Sequence, residues 1–335
     1  MRERSRELGE ALKKLSEGKT TVLDQGTLLD GRFEIERPLG FGGMGIVYRG
    51  LDRVTNRHVA IKLVQATSGE EIDGLHRFLR EARATATVQH PGIVKSLHVD
   101  VSSEGKLFQV LELVVGVTLE QRLARDGGLG PDTTTRLGAV LADALAAAHA
   151  AGIVHRDIKP SNIMLTEAEP GAKILDFGVS KLISDGRSTQ DGLVVGTPEY
   201  MAPEQVTTPE AVTERADVYA LGLVLYRAVA GRLPFDAHSG PGWMHAHAVA
   251  VPAPLSALPD VPRPLAELLM SCLAKAPSDR PTARELADGL TKLGDDAGVA
   301  ALSALTGISA AEVFDTDVRG MASTDASTVI APVVV

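Results

Sequence analysis

The stretch LGFGGMGIVYRG, Leu39–Gly50, is the most informative part of the sequence, because it places closely spaced glycines between two segments of strand-forming residues. Glycines in such a turn either adopt a positive φ for local reasons or let phosphate groups approach the backbone closely. In a dinucleotide-binding fold a helix follows the last glycine. Here IVYRG follows, which is typical of another strand. The pattern therefore favours a glycine-rich hairpin that covers a nucleotide, and it argues against a Rossmann-type site.

Composition narrows the classes of partner. The chain has 335 residues and a formal net charge of −9, so no basic excess is available to neutralise nucleic-acid or membrane phosphates. The single cysteine, Cys272, has no second thiol for a disulfide or a zinc site. We therefore expect a cytoplasmic protein that acts on proteins or small molecules, without nucleic acid and without a membrane contact in these residues.

The pattern along the chain predicts three parts. Residues 1–30 are interpreted as an N-terminal helix and a polar linker, residues 31–293 as one folded domain, and residues 294–335 as a flexible tail rich in Ala, Ser, Thr and Val. The folded domain divides into a small β-rich part, about 31–115, and a larger helical part, about 116–293. No internal repeat is found.

Secondary structure in the two parts follows from hydrophobic periodicity. Three antiparallel strands are predicted between Phe33 and Val64, a helix at about 70–88, and two strands within IVKSLHVDV and KLFQVLELV. Helices dominate beyond Gly116. Their predicted bounds are 118–125, 131–151, 216–229, 263–275 and 282–293.

Several motifs with chemical meaning follow the glycine-rich stretch in a fixed order. VAIK ends in Lys62, and FLREARA contains Glu81. The later motifs are HRDIKPSN (155–162), DFG (176–178), GTPEYMAPE (196–204), ADVYALG (216–222) and DRP (279–281). With these motifs the chain resembles the eukaryotic-like (Hanks-type) Ser/Thr protein kinases from about Phe33 to Leu290. The residues within its motifs are most similar to those of bacterial members of the family. The resemblance implies an α+β bilobal kinase fold, with a small antiparallel sheet and one main helix in the N-lobe and a larger α-helical C-lobe.

The resemblance also implies the catalytic residues. Asp157 would accept the proton of the substrate hydroxyl, and Lys159 would stabilise the charge that develops on the γ-phosphate. Lys62, paired with Glu81, would hold the α- and β-phosphates of ATP. Asn162 and Asp176 would be the ligands of Mg²⁺, which prefers oxygen donors.

ATP-binding residues are implied in the same way. The adenine would lie between Val47 and Ala60 on one side and Met164 on the other, with Leu111 at the inner end of the pocket. The adenine would form hydrogen bonds to the carbonyl of Glu112 and the N–H of Val114. The glycine-rich stretch would cover the phosphates with Leu39, Gly40, Phe41, Gly42, Gly43, Met44, Gly45, Ile46 and Val47.

Other positions bear on structure and specificity. Glu204 and Arg280 match the family's buried ion pair, and Asp217 matches a residue that orients the catalytic loop. Lys159 and Thr197 match Ser/Thr rather than Tyr specificity. Three departures are also evident: Thr118 and Ser161 stand where arginine-selecting kinases carry acids, and Thr85 stands where a larger apolar residue is common.

Two hypotheses of function from different classes remain. The first is an active Ser/Thr protein kinase, and the alternative is a nucleotide-binding pseudokinase that serves as a scaffold. A pseudokinase usually lacks the phosphate-binding lysine, the catalytic aspartate or the metal-binding aspartate. Lys62, Asp157 and Asp176 are all present, which favours the active kinase.

Regulation is expected at hydroxyls of the activation loop. The resemblance places three cations, Arg156, Lys181 and Arg77, where they can bind a phosphate on that loop. Thr189 is the first candidate for autophosphorylation and Ser188 the second, and Asp191 could supply part of the negative charge.

The sequence also bears on a docking site at Thr21 and on the expected partners. Thr21 has an aspartate three residues on, which suits a phosphothreonine-reading domain, although an ordinary polar linker is the favoured interpretation of the segment. The expected partners are thus protein substrates, a transient kinase dimer and such a reading domain.

Overall fold

The structure, a computed structural model, describes residues 23–42, 45–64, 87–102, 107–177, 197–297 and 302. These residues form two compact units. The first contains the described residues up to Gln89 together with Val94–Gly116, and the second contains His90–Ile93 and the described residues from Val117 onward.

The first unit is built on one antiparallel sheet of six strands. The strands are β1 (Leu28–Leu29), β2 (Phe33–Gly42), β3 (Gly45–Asp52), β4 (Arg57–Val64), β5 (Ser96–Val101) and β6 (Leu107–Glu112). Their spatial order is β1-β2-β3-β4-β6-β5. The three strands predicted between Phe33 and Val64 and the two that follow are confirmed. The helix predicted at about 70–88 lies almost entirely outside the described residues.

The core of the first unit comes from alternating apolar residues of these strands. In β3, Ile46 and Tyr48 are buried, because successive side chains of a strand point to opposite faces. Leu23 and Leu29 pack into the same core, and the Leu23 N–H donates to the Tyr48 hydroxyl at 2.9 Å. Residues 23–30 were interpreted as part of a polar linker. The structure shows instead that this segment packs on the sheet.

The second unit is mainly helical. A small antiparallel sheet, β7 (Val117–Thr118), β8 (Ile163–Leu165) and β9 (Ala172–Ile174), lies among its helices. The helices are α1 (Leu119–Asp126), α2 (Gly130–Ala150), α3 (Pro203–Thr207), α4 (Arg215–Ala230), α5 (Gly240–Val249), α6 (Arg263–Cys272) and α7 (Ala283–Asp296).

Helix α4 lies at the centre of this unit. Twelve of its 16 residues are buried, as expected of a helix with apolar residues on most of its surface. It packs against α2 and α6, and Gly222 makes the contact with α6 close, because a Cβ at this position would lie 2.7 Å from the Cβ of Cys272. The absence of a side chain at Gly222 therefore sets the distance between these two helices.

The ends of α1 and α7 follow from local sequence. Thr118 and Thr282 each cap a helix: their hydroxyls accept the N–H of Gln121 and Glu285, and their own N–H groups donate to the side-chain oxygens of those two residues. Helix α7 continues to Asp296, and Leu302 is buried. Residues 294–296, predicted to belong to a flexible tail, are therefore helical, and residues 298–301 and 303–335 of that predicted tail lie outside the described residues. Among the described residues, no helix has both the length and the apolar character needed to cross a membrane.

Candidate active site

The backbone of the HRD segment is fixed by one buried carboxylate. Asp217, in the first turn of α4, accepts hydrogen bonds from the N–H of His155 at 2.8 Å and from the N–H of Arg156 at 2.7 Å. His149 at the end of α2 contacts the same carboxylate through Nε2 at 2.8 Å. Arg156 has a φ of +68°, which is unfavourable for a residue with a side chain. These bonds compensate for that conformation, so Asp217 orients the loop, as the sequence indicated.

His155 connects the HRD segment to the DFG segment. Its Nδ1 accepts the N–H of Asp157 at 3.2 Å, and this acceptor role requires the tautomer protonated at Nε2. Nε2 therefore donates to the carbonyl of Leu175 at 2.8 Å. The ring also lies edge-on to Phe177, with centroids 4.7 Å apart. The buried imidazole thus sets the position of both segments.

The Asp157 side chain lies between an amide and a cation. Asn162 donates from Nδ2 to the Asp157 carboxylate at 3.0 Å and to the Asp157 backbone carbonyl at 2.8 Å. Lys159 Nζ contacts the carboxylate at 2.9 Å and donates to Thr197 Oγ1 at 3.0 Å. Lys159 therefore connects Thr197 to Asp157. The arrangement keeps the carboxylate in one orientation.

Two side chains of this unit offer oxygen ligands for a metal ion. Because Asn162 uses its amide nitrogen on Asp157, its Oδ1 is the atom left for a metal. Asp176 lies just after β9 and has a φ of +58°. A carboxylate and an amide oxygen match the ligands that Mg²⁺ prefers. The residues present therefore fit the ion that the sequence implied.

In the first unit, four of the residues predicted to contact ATP lie on one face of the sheet, whereas Ile46 points to the opposite face, into the core. Val47 of β3 is the direct neighbour of Lys62 of β4, and directly opposed residues of antiparallel strands share a face. Ala60, two residues before Lys62, lies on the same face, and Leu111 is its neighbour on β6. Ala60 and Lys62 are both buried. The strand register thus brings these four side chains together.

The remaining predicted ATP contacts are distributed over both units. Gly40, Phe41 and Gly42 pair with Val47, Ile46 and Gly45 across the β2–β3 hairpin. Leu39 is buried, Glu112 ends β6, and Val114 is buried in the segment that follows. Met164 is buried in β8 of the second unit.

Several predicted residues lie outside the described part of the chain, so the structure does not test their roles. They are Thr21, Gly43, Met44, Arg77, Glu81, Thr85, Lys181, Ser188, Thr189 and Asp191.

The segment after Thr197 is held by contacts from several elements. Gln205 bonds from Nε2 to the carbonyl of Arg156 at 2.9 Å. Arg227 donates to the Tyr200 hydroxyl at 2.8 Å, and burial raises the pKa of Tyr200 to about 12 despite this bond. The predicted ion pair is confirmed: Arg280 donates to both carboxylate oxygens of Glu204 at 2.7 and 2.8 Å. These contacts fix the segment on the helices below it.

Sequence reasoning missed three of these contributors: His149, Gln205 and Arg227. Their partners are 68, 49 and 27 residues away in sequence, so no local spacing reveals them. Gln205 immediately follows the GTPEYMAPE motif, which is the only sequence signal that could have drawn attention to it.

A further group with potential metal ligands lies in the first unit. Asp30, His98 and Asp100 place their ligand atoms within 4.8 Å of one another. His98 Nε2 is 3.9 Å from Asp30 and 3.7 Å from Asp100, which are distances of loose ion pairs. The group is partly exposed, and we assign no metal to it.

The fold and the arrangement of the HRD and DFG segments define a protein kinase domain. The protein kinase domain family matches residues 33–289, and the chain belongs to this family.

Relatives of known name are bacterial Ser/Thr kinases. The chain is 41% identical over 288 residues to Ser/Thr-protein kinase pkn2 of Myxococcus xanthus, covering 83% of this chain and 34% of the relative. It is 38% identical over 291 residues to PkaA of Streptomyces coelicolor, covering 82% of this chain and 52% of the relative. The chain therefore spans about a third to a half of the length of these relatives.

Solved structures agree with this assignment. The kinase domain of PknI from Mycobacterium tuberculosis superimposes with a TM-score of 0.65 at 30% identity, covering 83% of this chain and all of that domain. The predicted fold class, α+β with an antiparallel sheet lobe and a helical lobe, is thereby confirmed, as is the resemblance to bacterial Hanks-type kinases.

Proposed function

We propose that the chain is an active Ser/Thr protein kinase, which transfers the γ-phosphoryl group of ATP to Ser and Thr hydroxyls of proteins. The observation that carries this proposal is the environment of Asp157. Its carboxylate is held by Asn162 and Lys159, on a loop that Asp217 orients. A pseudokinase scaffold has no need of an oriented base, and no observation on the described residues favours that alternative.

Asp157 acts on the acceptor hydroxyl in this proposal. The hydroxyl oxygen forms a bond to the γ-phosphorus while the bond from that phosphorus to the β,γ-bridging oxygen breaks, and ADP leaves. The proton of the hydroxyl passes to Asp157. Lys159, within 2.9 Å of this carboxylate, places a positive charge beside the phosphoryl oxygens during transfer.

Asn162 and Asp176 would hold Mg²⁺, with Asn162 contributing Oδ1. When bound, the ion neutralises charge on the phosphates. Lys62 would contact the α- and β-phosphates, and its position on β4 beside Val47 and Ala60 suits a nucleotide lying along this face of the sheet.

Ser/Thr rather than Tyr acceptors are supported by the contact between Lys159 and Thr197. Two side chains occupy the space beside the base, which suits a short hydroxyl side chain better than a long phenol. The names of the relatives agree with this acceptor class.

The test is incubation of the purified chain with Mg²⁺ and radiolabelled ATP, with a generic protein acceptor such as myelin basic protein. We expect label on the acceptor from the wild type and none above background from Asp157→Asn. Nucleotide binding, followed by thermal shift, should be retained in the variant. Equal labelling by the two proteins, or nucleotide binding by a wild type that transfers no phosphate, would leave the scaffold as the better description.

The finer expectations belong to the same proposal. Thr189, followed by Ser188, is the proposed autophosphorylation site, with Arg156, Lys181 and Arg77 as its cationic partners and a transient kinase dimer as the reacting form. Phosphorylated Thr21 would be read by a phosphothreonine-binding domain. Cytoplasmic location completes it, with a kinase domain at residues 31–293 to which the packed residues 23–30 and the end of α7 are added. Phosphosite mapping of the wild type tests the two sites directly.

A further inference from the structure

His247 is a buried histidine that the proposed chemistry does not use. It lies in the last turn of α5 with no exposed surface, and both ring nitrogens are bonded. Nδ1 lies 3.0 Å from the hydroxyl of Tyr219, and Nε2 lies 3.1 Å from the backbone carbonyl of Glu199. A carbonyl can only accept, so Nε2 carries the proton and Nδ1 accepts from the tyrosine hydroxyl. The neutral imidazole is thus fully satisfied in one tautomer.

Surrounding side chains leave the imidazole little freedom to rotate. The rings of Tyr219 and Phe235 approach its ring edge-on, with centroids 5.7 and 5.2 Å away, and Trp243 stacks on it at 6.0 Å. Lys275 donates to the carbonyls of Ala246 and His247, which lie in the last turn of helix α5. The donor on Nε2 therefore has a fixed direction.

The carbonyl that this donor contacts belongs to the segment that starts at Thr197, which Lys159 connects to the candidate base. Thr197 is bonded to Lys159, which contacts Asp157. The segment that starts at Thr197 therefore lies one side chain away from the carboxylate that would bind the acceptor hydroxyl. Residues Pro198–Tyr200 form a single 3₁₀ turn, and turns of this length have poor hydrogen-bond geometry of their own. Their position therefore depends on outside contacts.

Contacts to this turn come from two helices. Arg227 of α4 binds the hydroxyl of Tyr200, which is a side-chain contact. His247 of α5 binds the main-chain carbonyl of Glu199 directly. Only the second contact fixes the backbone itself, along which the residues flanking the acceptor hydroxyl would lie.

We propose that His247 is a positioning residue for the protein acceptor: its Nε2–H fixes the Thr197–Tyr200 backbone that receives the peptide next to the phosphorylated hydroxyl. The inference rests on the proposed kinase function for its meaning. It concerns recognition of the acceptor and leaves the nucleotide site unaffected.

Two substitutions separate the donor from the bulk of the ring. His247→Phe fills the space without a donor, whereas His247→Gln retains an amide N–H that can reach the position of Nε2. His245→Phe is the matched control, because His245 is exposed on the same helix. KM for the protein acceptor, KM for ATP and kcat are measured with myelin basic protein as the acceptor.

We expect His247→Phe to raise the KM for the acceptor about tenfold, as for the loss of a buried hydrogen bond, with the KM for ATP unchanged. His247→Gln should recover most of this loss, and His245→Phe should behave as the wild type. An unchanged acceptor KM in His247→Phe, or an equal rise in the KM for ATP, would overturn the proposal.

Hydrogen exchange provides a readout that needs no activity. The amides of Tyr200 and Met201 donate within the turn, and that of Ala202 donates to Gln205. In His247→Phe these amides should exchange faster than in the wild type, and His247→Gln should restore slow exchange. Unchanged exchange in a folded His247→Phe variant refutes the positioning role. If the wild type transfers no phosphate, the proposed function fails while this comparison still decides the inference.

Discussion

Arg280 is a completely buried cation whose every donor direction is used. Its guanidinium donates to both oxygens of Glu204 and to the carbonyls of Ala274, Lys275 and Arg215. It also lies 4.7 Å above the ring of Tyr219. A buried guanidinium needs such complete pairing, because desolvation of the charge is costly. One side chain thereby joins α3, α4 and the segment after α6.

Removing the charge of its partner should be strongly destabilising. Glu204→Gln leaves the Arg280 charge uncompensated in the core, and we expect a loss of about 3 kcal/mol in the free energy of unfolding. Urea unfolding followed by circular dichroism measures this loss. Glu267→Gln is the control, because its partner Arg263 is 86% exposed and solvent screens the pair, so its loss should change the stability little. Similar losses in the two variants would contradict the prediction.

Asp217 supports a second prediction, on the catalytic loop. In Asp217→Asn an amide NH₂ replaces one of the oxygens that accept from the loop. This NH₂ then faces a backbone N–H of His155 or Arg156, and both groups are donors. We expect a loss of about 2 kcal/mol in stability, together with a kcat that falls while the KM for ATP is kept. Steady-state kinetics and urea unfolding measure the two effects. Asp260→Asn, at an exposed position, is the control, and a kcat equal to that of the wild type in Asp217→Asn would remove the positioning role.

Among the helices, the approach of α4 to α6 depends on the lack of a side chain at Gly222. A methyl group there would lie 2.7 Å from Cys272 Cβ and 3.1 Å from Leu273 Cδ2, so the helices must move apart. We expect Gly222→Ala to lower the stability by about 2 kcal/mol, although alanine is the better helix former. The thermal midpoint measures this. Gly240→Ala, whose new methyl group meets nothing closer than 3.8 Å, should leave the midpoint unchanged, and equal midpoints in both variants would count against the packing argument.

The elements differ in how far sequence alone could predict them. Strands β2–β4 were predictable because β-branched residues alternate between glycines, and α2 and α4 because their apolar periodicity is long. Helix α5 was missed because it begins Gly240-Pro241-Gly242, which is typical of a turn. In the structure Ser239 caps it by accepting from the N–H of Gly242. The strands of the small sheet were missed because each has only two or three residues.

The candidate site shows the same division. Asp157, Lys159, Asn162 and Asp176 could be named from motifs, since the reaction requires those side chains in a fixed order. His247 could not be named, because its partners Tyr219 and Glu199 are 28 and 48 residues away. Contacts that depend on tertiary packing leave no local pattern in the sequence.

For the whole molecule, acid should weaken the two units over different ranges of pH. Burial, followed by the nearby Lys275 charge, lowers the pKa of His247 from 6.5 to about 4, although bonds to the carbonyls of Pro198 and Glu199 oppose the shift. The unfolded chain therefore binds a proton that the folded second unit excludes, and stability falls as the pH drops from 6.5 towards 4. In the first unit, the bond from Arg32 lowers the pKa of Asp52 well below 3.8. The stabilisation that the Asp52 carboxylate contributes is therefore lost only as the pH falls below 3.8.

The measurement is urea unfolding by circular dichroism at pH 7 and pH 5, for the wild type and His247→Gln. We expect the wild type to lose about 2 kcal/mol more than the variant between these values, since glutamine does not titrate. The dichroism signal comes largely from helices, and all seven described helices belong to the second unit. Equal losses in the two proteins would show that His247 does not exclude the proton.

The stacking of Trp243 on His247 has a spectroscopic consequence. The chain has a single tryptophan, and its ring lies at 25° to the imidazole with centroids 6.0 Å apart. An imidazolium quenches indole emission far more than a neutral imidazole does, and release of the helix into water shifts the emission to longer wavelength. The natural protein therefore contains its own optical probe, and one emission spectrum, without any label, distinguishes a protonated His247 from an undocked α5.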